Sequence, residues 1–138
     1  MANKRILVTG GAGFIGSNMA DELIKSGYSV TVFDNLSTGD KKYLNPKAKF
    51  IKGDVKKPAD IEKCFTDKIY AVIHIAGCAS TIKSFDDPSA DLLTNTLGTV
   101  NMISAAIKHK TNRFLYASSM TSYGVPDAIP VKETMPTR

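Results

Sequence analysis

The stretch from Val8 to Ser17, VTGGAGFIGS, constrains the fold more than any other part of the chain. Gly10, Gly13 and Gly16 recur at every third position, after an apolar run and before a segment of helical spacing. That pattern suits a buried strand that turns sharply into a helix. Gly10 permits the tight turn, Gly13 lets the backbone approach whatever occupies it, and Gly16 lets the helix pack closely. The N–H groups at the helix start, with the helix dipole behind them, favour an anion there.

The rest of the chain repeats the alternation. RILVTG, YSVTVFD, AKFIKGD, IYAVIHIAG and RFLYASS each read as a short strand. The near-continuous apolar character of ILV and AVIHIA suits strands covered on both faces. Between them, Ile15, Met19, Leu23 and Ile24 recur at helical spacing before Gly27, and Pro58 opens a second helical segment. A long helix is expected from Pro88 to Lys108, with an apolar stripe of Leu93, Leu97, Val100, Ile103 and Ile107 and with Gly98 inside it. The fold class is therefore α/β, a doubly wound parallel sheet of the Rossmann kind, in the order 3-2-1-4-5-6 with five strands present. Residues 1–124 form the domain, and the proline-bearing stretch 125–138 reads as an irregular tail. The fifth strand then lies at an open edge, which either pairs with another chain or is covered by that tail.

Composition excludes several classes. No segment has the length of a membrane helix, and no signal peptide pattern leads the chain. The net charge of +5 is spread over scattered lysines without an arginine cluster, so neither nucleic acid nor a membrane is expected as a partner. Cys64 and Cys78 have no metal-ligand or redox spacing and read as buried free thiols in a cytoplasmic protein, with no metal site.

Asp34 closes the second strand, 18 residues beyond Gly16. An acidic residue there accepts hydrogen bonds from the hydroxyls of an adenosine ribose, which makes the glycine turn a dinucleotide site. A carboxylate repels a 2′-phosphate, and DNLSTG supplies no arginine, so NAD is favoured over NADP. A P-loop is excluded because no Gly-Lys-Ser/Thr follows the turn.

TGGAGFIGS, FDNLSTG, GDV, VIHIAG, DP with NTLGT, and YASSMTSYG together carry a resemblance that spans the chain. The sequence resembles the extended short-chain dehydrogenase/reductase family, in particular its NAD-dependent epimerases and dehydratases, with the UDP-glucose 4-epimerase-like enzymes nearest in style. The resemblance implies roles for particular residues. Phe14 and Ile15 would lie beside the pyrophosphate. Asp34 and Asn35 would hold the adenosine ribose, with Ser37, Thr38 and Gly39 near its phosphate. Asp54 would take the adenine amino group and Val55 a backbone contact. Ala76, Gly77 and Ala79 would line the nicotinamide half, Thr94 would reach the cofactor from the long helix, and Ser118 would border it. Ser119, four residues before Tyr123, falls on the family's catalytic Ser/Thr and would hydrogen-bond the sugar hydroxyl that loses a hydride. His74 reads as a satisfied core histidine rather than a general base.

The resemblance also implies a tyrosine base in a Tyr-x-x-x-Lys motif on the helix after the fifth strand. In that region Tyr116 is followed by Met120 and Tyr123 by Asp127, so the motif is not there. The expectation is the N-terminal, NAD-binding portion of a nucleotide-sugar epimerase or dehydratase, part of a homo-oligomer and inactive by itself. The alternative is a non-catalytic module that binds NAD or an adenine nucleotide.

Overall fold

The computed structural model describes residues 4–137. Five parallel strands form one sheet in the order β3-β2-β1-β4-β5. They are β1 (Arg5–Thr9), β2 (Ser29–Asp34), β3 (Lys49–Lys52), β4 (Ile69–His74) and β5 (Arg113–Tyr116). The helices are α1 (Phe14–Lys25), α2 (Pro58–Glu62), α3 (Thr81–Asp86), α4 (Pro88–Leu92) and α5 (Gly98–Lys108). This is the doubly wound order that the alternation of strand and helix implies.

The period of two along the strands builds two cores. Ile6, Val8, Val30, Val32 and Ala71 face α1, where Ala20 is buried among them. Leu7, Phe33 and Val72 face the opposite way, against Ile61 of α2 and Met102, Ala105 and Ala106 of α5. β1, β2 and β4 are thus apolar on both faces, which is why they read as continuous runs. α1 ends where Gly27 takes a left-handed φ of +86°. The Tyr28 N–H then reaches the Leu23 carbonyl and the Gly27 N–H the Ile24 carbonyl, each at 3.0 Å. These paired bonds satisfy carbonyls that the helix end would otherwise leave open.

The α1 stripe is divided, with Leu23 and Ile24 packed against the core and Ile15 and Met19 turned outward, and the stripe of the long helix faces away from the sheet. In α1 the buried residues are Gly16, Ser17 and Ala20, while Ile15 is 63% exposed. In the long helical segment the sheet-facing residues are Gly98, Met102, Ala105 and Ala106. Leu93, Leu97, Val100, Ile103 and Ile107 lie on its outer side. Both helices present small residues at their closest approach, alongside Met102 of α5 and the half-buried Leu23 and Ile24 of α1. Gly98 shows the reason directly, since a β-carbon there would sit 2.6 Å from a methyl of Val55. The segment is continuous from Pro88 to Lys108 but widens into a π-turn over Leu93–Leu97.

β5 is an edge strand, and Leu115 and Tyr116 are about half exposed, so the tail does not cover them. After a 3-10 turn over Met120–Tyr123, the chain forms neither helix nor strand as far as residue 137. No helix among the described residues is long and apolar enough to cross a membrane. The two thiols differ: Cys64 is buried, and burial pushes its thiol up to about 12, whereas Cys78 is only half-buried.

Candidate functional site

A cleft of about 280 Å³ opens at the C-terminal ends of β1, β2 and β4. In a doubly wound sheet this is where ligands bind. Its floor is the glycine turn. Gly10 has a φ of +68°, and a β-carbon there would lie 2.8 Å from the Ala76 nitrogen. A β-carbon at Gly16 would overlap the Gly10 carbonyl, so this glycine packs the helix onto the turn itself rather than onto the sheet. Gly13 differs from both. Its φ and ψ of −85° and 176° suit any residue, and a β-carbon there would meet only the Gly10 oxygen at 3.4 Å. The protein does not itself require a glycine at that position. The space it leaves belongs to the cleft.

Gly13 is also the N-cap of α1, where no side chain caps the helix and no acidic residue sits in the first turn. A helix start without these partners is suited to an external anion. Asp34 faces it across the cleft and is 9% exposed. Its carboxylate accepts the Ala12 N–H at 3.0 Å on one oxygen and the Leu36 N–H at 2.7 Å on the other. Leu36 takes a φ of +63° in making the second bond. Both carboxylate oxygens are thereby fixed, and each keeps acceptor capacity for a further donor.

Most of the residues implied by the resemblance gather here. Gly10, Gly13, Phe14, Ile15 and Gly16 line the cleft from the turn, and Asp34, Asn35, Ser37 and Thr38 from the end of β2. Val55, Ala76, Gly77, Ala79 and Thr94 close the far side. Phe33, Gly53 and Ile75 also line it. Phe33 and Ile75 lie in or just after strands and read from sequence only as core. Four implied residues stand elsewhere. A β-carbon at Gly39 would press on Ala12 at 2.8 Å, so this glycine packs beneath the turn. Asp54 turns to the Lys56 N–H at 2.9 Å and to its ammonium at 3.6 Å. Ser118 and Ser119 lie on the exposed segment after β5, outside the cleft. The Ser119 hydroxyl caps the 3-10 turn, accepting the Thr121 N–H at 3.1 Å. The spacing Tyr43…Lys47 does match Tyr-x-x-x-Lys, but it falls between β2 and β3 and contains Pro46. It is therefore not the motif of the helix after β5.

A second cleft, of about 680 Å³, adjoins the first and shares Asn35, Ser37, Thr38, Gly77, Ala79 and Thr94 with it. The π-turn serves this border. Asn95, inside it, accepts the Cys78 N–H at 2.7 Å and donates to the Cys78 carbonyl at 3.0 Å. One side chain so grips both backbone groups of a residue beside the cleft. No cluster of His, Cys, Asp and Glu among the described residues could hold a metal ion.

His74 is 1% exposed, and both its ring nitrogens have hydroxyl partners. Burial lowers its pKa from 6.5 to about 4. The unfolded chain therefore takes up this proton first. The stability held at neutral pH is complete above pH ~6.5 and is lost as pH falls from there towards ~4. The loss amounts to about 3 kcal/mol at ~1.4 kcal/mol per unit. Urea unfolding of the wild-type protein and of His74→Gln at pH 7.5 and 4.5 checks this. The variant is expected to lose less stability on acidification by about 2–3 kcal/mol. Equal losses would contradict the assignment.

Comparison with known proteins agrees with this fold. The model of the NAD-dependent epimerase/dehydratase family matches residues 6–138. The chain belongs to that family. A UDP-glucose 4-epimerase of Streptococcus mutans is 37% identical over 136 residues, covering 96% of this chain and 41% of that protein. The crystal structure of a Thermus thermophilus UDP-glucose 4-epimerase in complex with NAD superposes with a TM-score of 0.87 at 34% identity. That match covers 97% of this chain and 44% of the other. A Thermotoga maritima UDP-glucose 4-epimerase with UDP-glucose gives a TM-score of 0.83 at 38% identity, over 87% of this chain and 40% of that one. The chain spans about two fifths of the length of the relatives it matches.

Proposed function

We propose that this chain is the NAD-binding portion of a UDP-sugar 4-epimerase that works by transient hydride transfer from a sugar carbon to NAD. The observation that carries the reading is the space at Gly13. It is a gap the fold does not need, at an uncapped helix start, facing a carboxylate held by two backbone N–H groups. A dinucleotide pyrophosphate fits the first feature and a ribose diol the second. The chain's own residues would bind and orient the cofactor. The turn amides would hold the phosphates, Asp34 the adenosine ribose, and the small residues Ala76, Gly77 and Ala79 would give passage to the nicotinamide half. NAD, when bound, supplies the hydride acceptor. Ser119 would hydrogen-bond the reacting sugar hydroxyl, and the proton acceptor would come from chain beyond these 138 residues.

Asp34→Ala is expected to weaken NAD binding by about 1–3 kcal/mol, because ribose hydroxyls and the Ala12 and Leu36 N–H groups lose their acceptor. NADP binding should change less, since the variant also removes a repulsion. Titration of both cofactors into both proteins checks this, and an unchanged NAD affinity would remove Asp34 from the site.

The reading includes a homo-oligomer. The outer row Leu93, Leu97, Val100, Ile103 and Ile107 supports it, since each of these apolar side chains is between 39% and 72% exposed. A contiguous exposed apolar patch marks an association surface. Sedimentation over a concentration series should show a dimer or larger species that Val100→Glu with Ile103→Glu dissociates. A wild-type monomer at high concentration would refute it.

A further inference from the structure

We propose that His74 is a positioning residue for the loop that lines the cleft, acting by fixing the direction of the Thr9 hydroxyl and, through it, the amides of Ile75 and Ala76. Two independent constraints set the ring's proton. The Thr99 hydroxyl donates to the Asn95 carbonyl at 2.7 Å, because a carbonyl only accepts. Its oxygen then accepts from His74 Nε2, 3.1 Å away, so Nε2 carries hydrogen. At the other end, the Ile75 and Ala76 N–H groups both donate to Thr9 Oγ1 at 3.2 Å, filling its two acceptor positions. Its single proton therefore points to His74 Nδ1 at 2.7 Å. Both ends demand the same neutral tautomer. The rings of Phe114 and Tyr116, 5.8 and 6.0 Å away, hold its plane. The chain of bonds runs from the π-turn residue Asn95 to the Ala76 amide at the cleft wall. An apolar side chain at position 74 would fill the space but strand the Thr9 proton. The hydroxyl would then turn to another acceptor and release the Ala76 amide, while the Ile75 N–H keeps the Thr9 carbonyl at 3.3 Å.

The consequence for NAD affinity rests on the function proposed above, whereas the tautomer and the tether do not. The experiment therefore reads all three in the 138-residue chain. Histidine-selective nitrogen spectra should show the His74 proton on Nε2 and a bare Nδ1 from pH 7.5 to 5. Hydrogen exchange at the Ala76 amide should be at least about tenfold faster in His74→Leu. It should return close to wild type in His74→Asn, whose amide oxygen can stand where Nδ1 does. NAD affinity should fall about five- to thirtyfold in the Leu variant and recover in the Asn variant. A proton on Nδ1, or an Ala76 amide equally protected in His74→Leu, would overturn the proposal, as a merely space-filling histidine predicts. Failure of the wild-type protein to bind NAD would instead refute the dinucleotide reading and leave the tautomer and exchange results to decide this one. Should His74→Leu not fold, Thr9→Val and Thr9→Ser make the same distinction: Val is expected to release Ala76 and Ser to retain it.

Discussion

Gly13→Val is expected to bind NAD about 10- to 100-fold more weakly than the wild-type chain while keeping its thermal stability within about 1 kcal/mol. The two halves of that result have separate causes. The fold tolerates a side chain at Gly13 because its backbone is extended and a β-carbon meets only the Gly10 oxygen, at 3.4 Å. The cleft does not tolerate it, because the branched methyls would enter the space assigned to the pyrophosphate. Gly16→Val is the control. Its β-carbon would collide with the Gly10 carbonyl and the Gly11 Cα, so it should cost about 3 kcal/mol or more in stability. Isothermal titration with thermal melts of both variants separates the effects. An NAD affinity unchanged in Gly13→Val would place the pyrophosphate elsewhere.

The 138-residue chain is expected not to interconvert UDP-glucose and UDP-galactose at a measurable rate. Loss of a positioned general base costs about 10²–10⁴-fold in rate. Tyr116 and Tyr123, the tyrosines from β5 onward, have Met120 and Asp127 where the lysine of the motif would stand. In a chain extended to include a Tyr-x-x-x-Lys helix, Ser119→Ala should lower kcat far more than it alters NAD affinity. Ser119 lies outside the cleft, so NAD affinity should change little, while the fall in kcat rests on the sugar contact proposed for it. Assays with purified chain and added NAD, following the two sugar nucleotides by chromatographic separation, test the first statement. Turnover by the 138 residues alone would contradict it.

Much of the fold was legible because its signals are local. Strand length, the two-faced apolar runs and the glycine turn depend on neighbours in sequence, and they led to the doubly wound order that the sheet has. The facing of the helices was not legible. The row from Leu93 to Ile107 and the row Gly98, Met102, Ala105, Ala106 share one helix, and periodicity favours the more apolar of the two. Packing distance decided otherwise, because Gly98 must clear a Val55 methyl. The same limit applies at the site. Gly10 and Asp34 follow from backbone conformation and strand ends. Gly39 also packs against Ala12 and Asp54 also meets Lys56, contacts that sequence spacing does not register. The π-turn over Leu93–Leu97 and its grip on Cys78 left no sequence signal beyond Asn95 itself.

The central claim, that this chain carries an NAD site built on the Gly13 gap and Asp34, is tested most directly by calorimetric titration of the wild-type protein with NAD and NADP side by side. Saturable NAD binding with one site per chain is expected, with NADP bound more weakly by about tenfold or more, since a 2′-phosphate would meet the Asp34 carboxylate in place of a hydroxyl. No heat with NAD, or NADP bound as tightly as NAD, would contradict it.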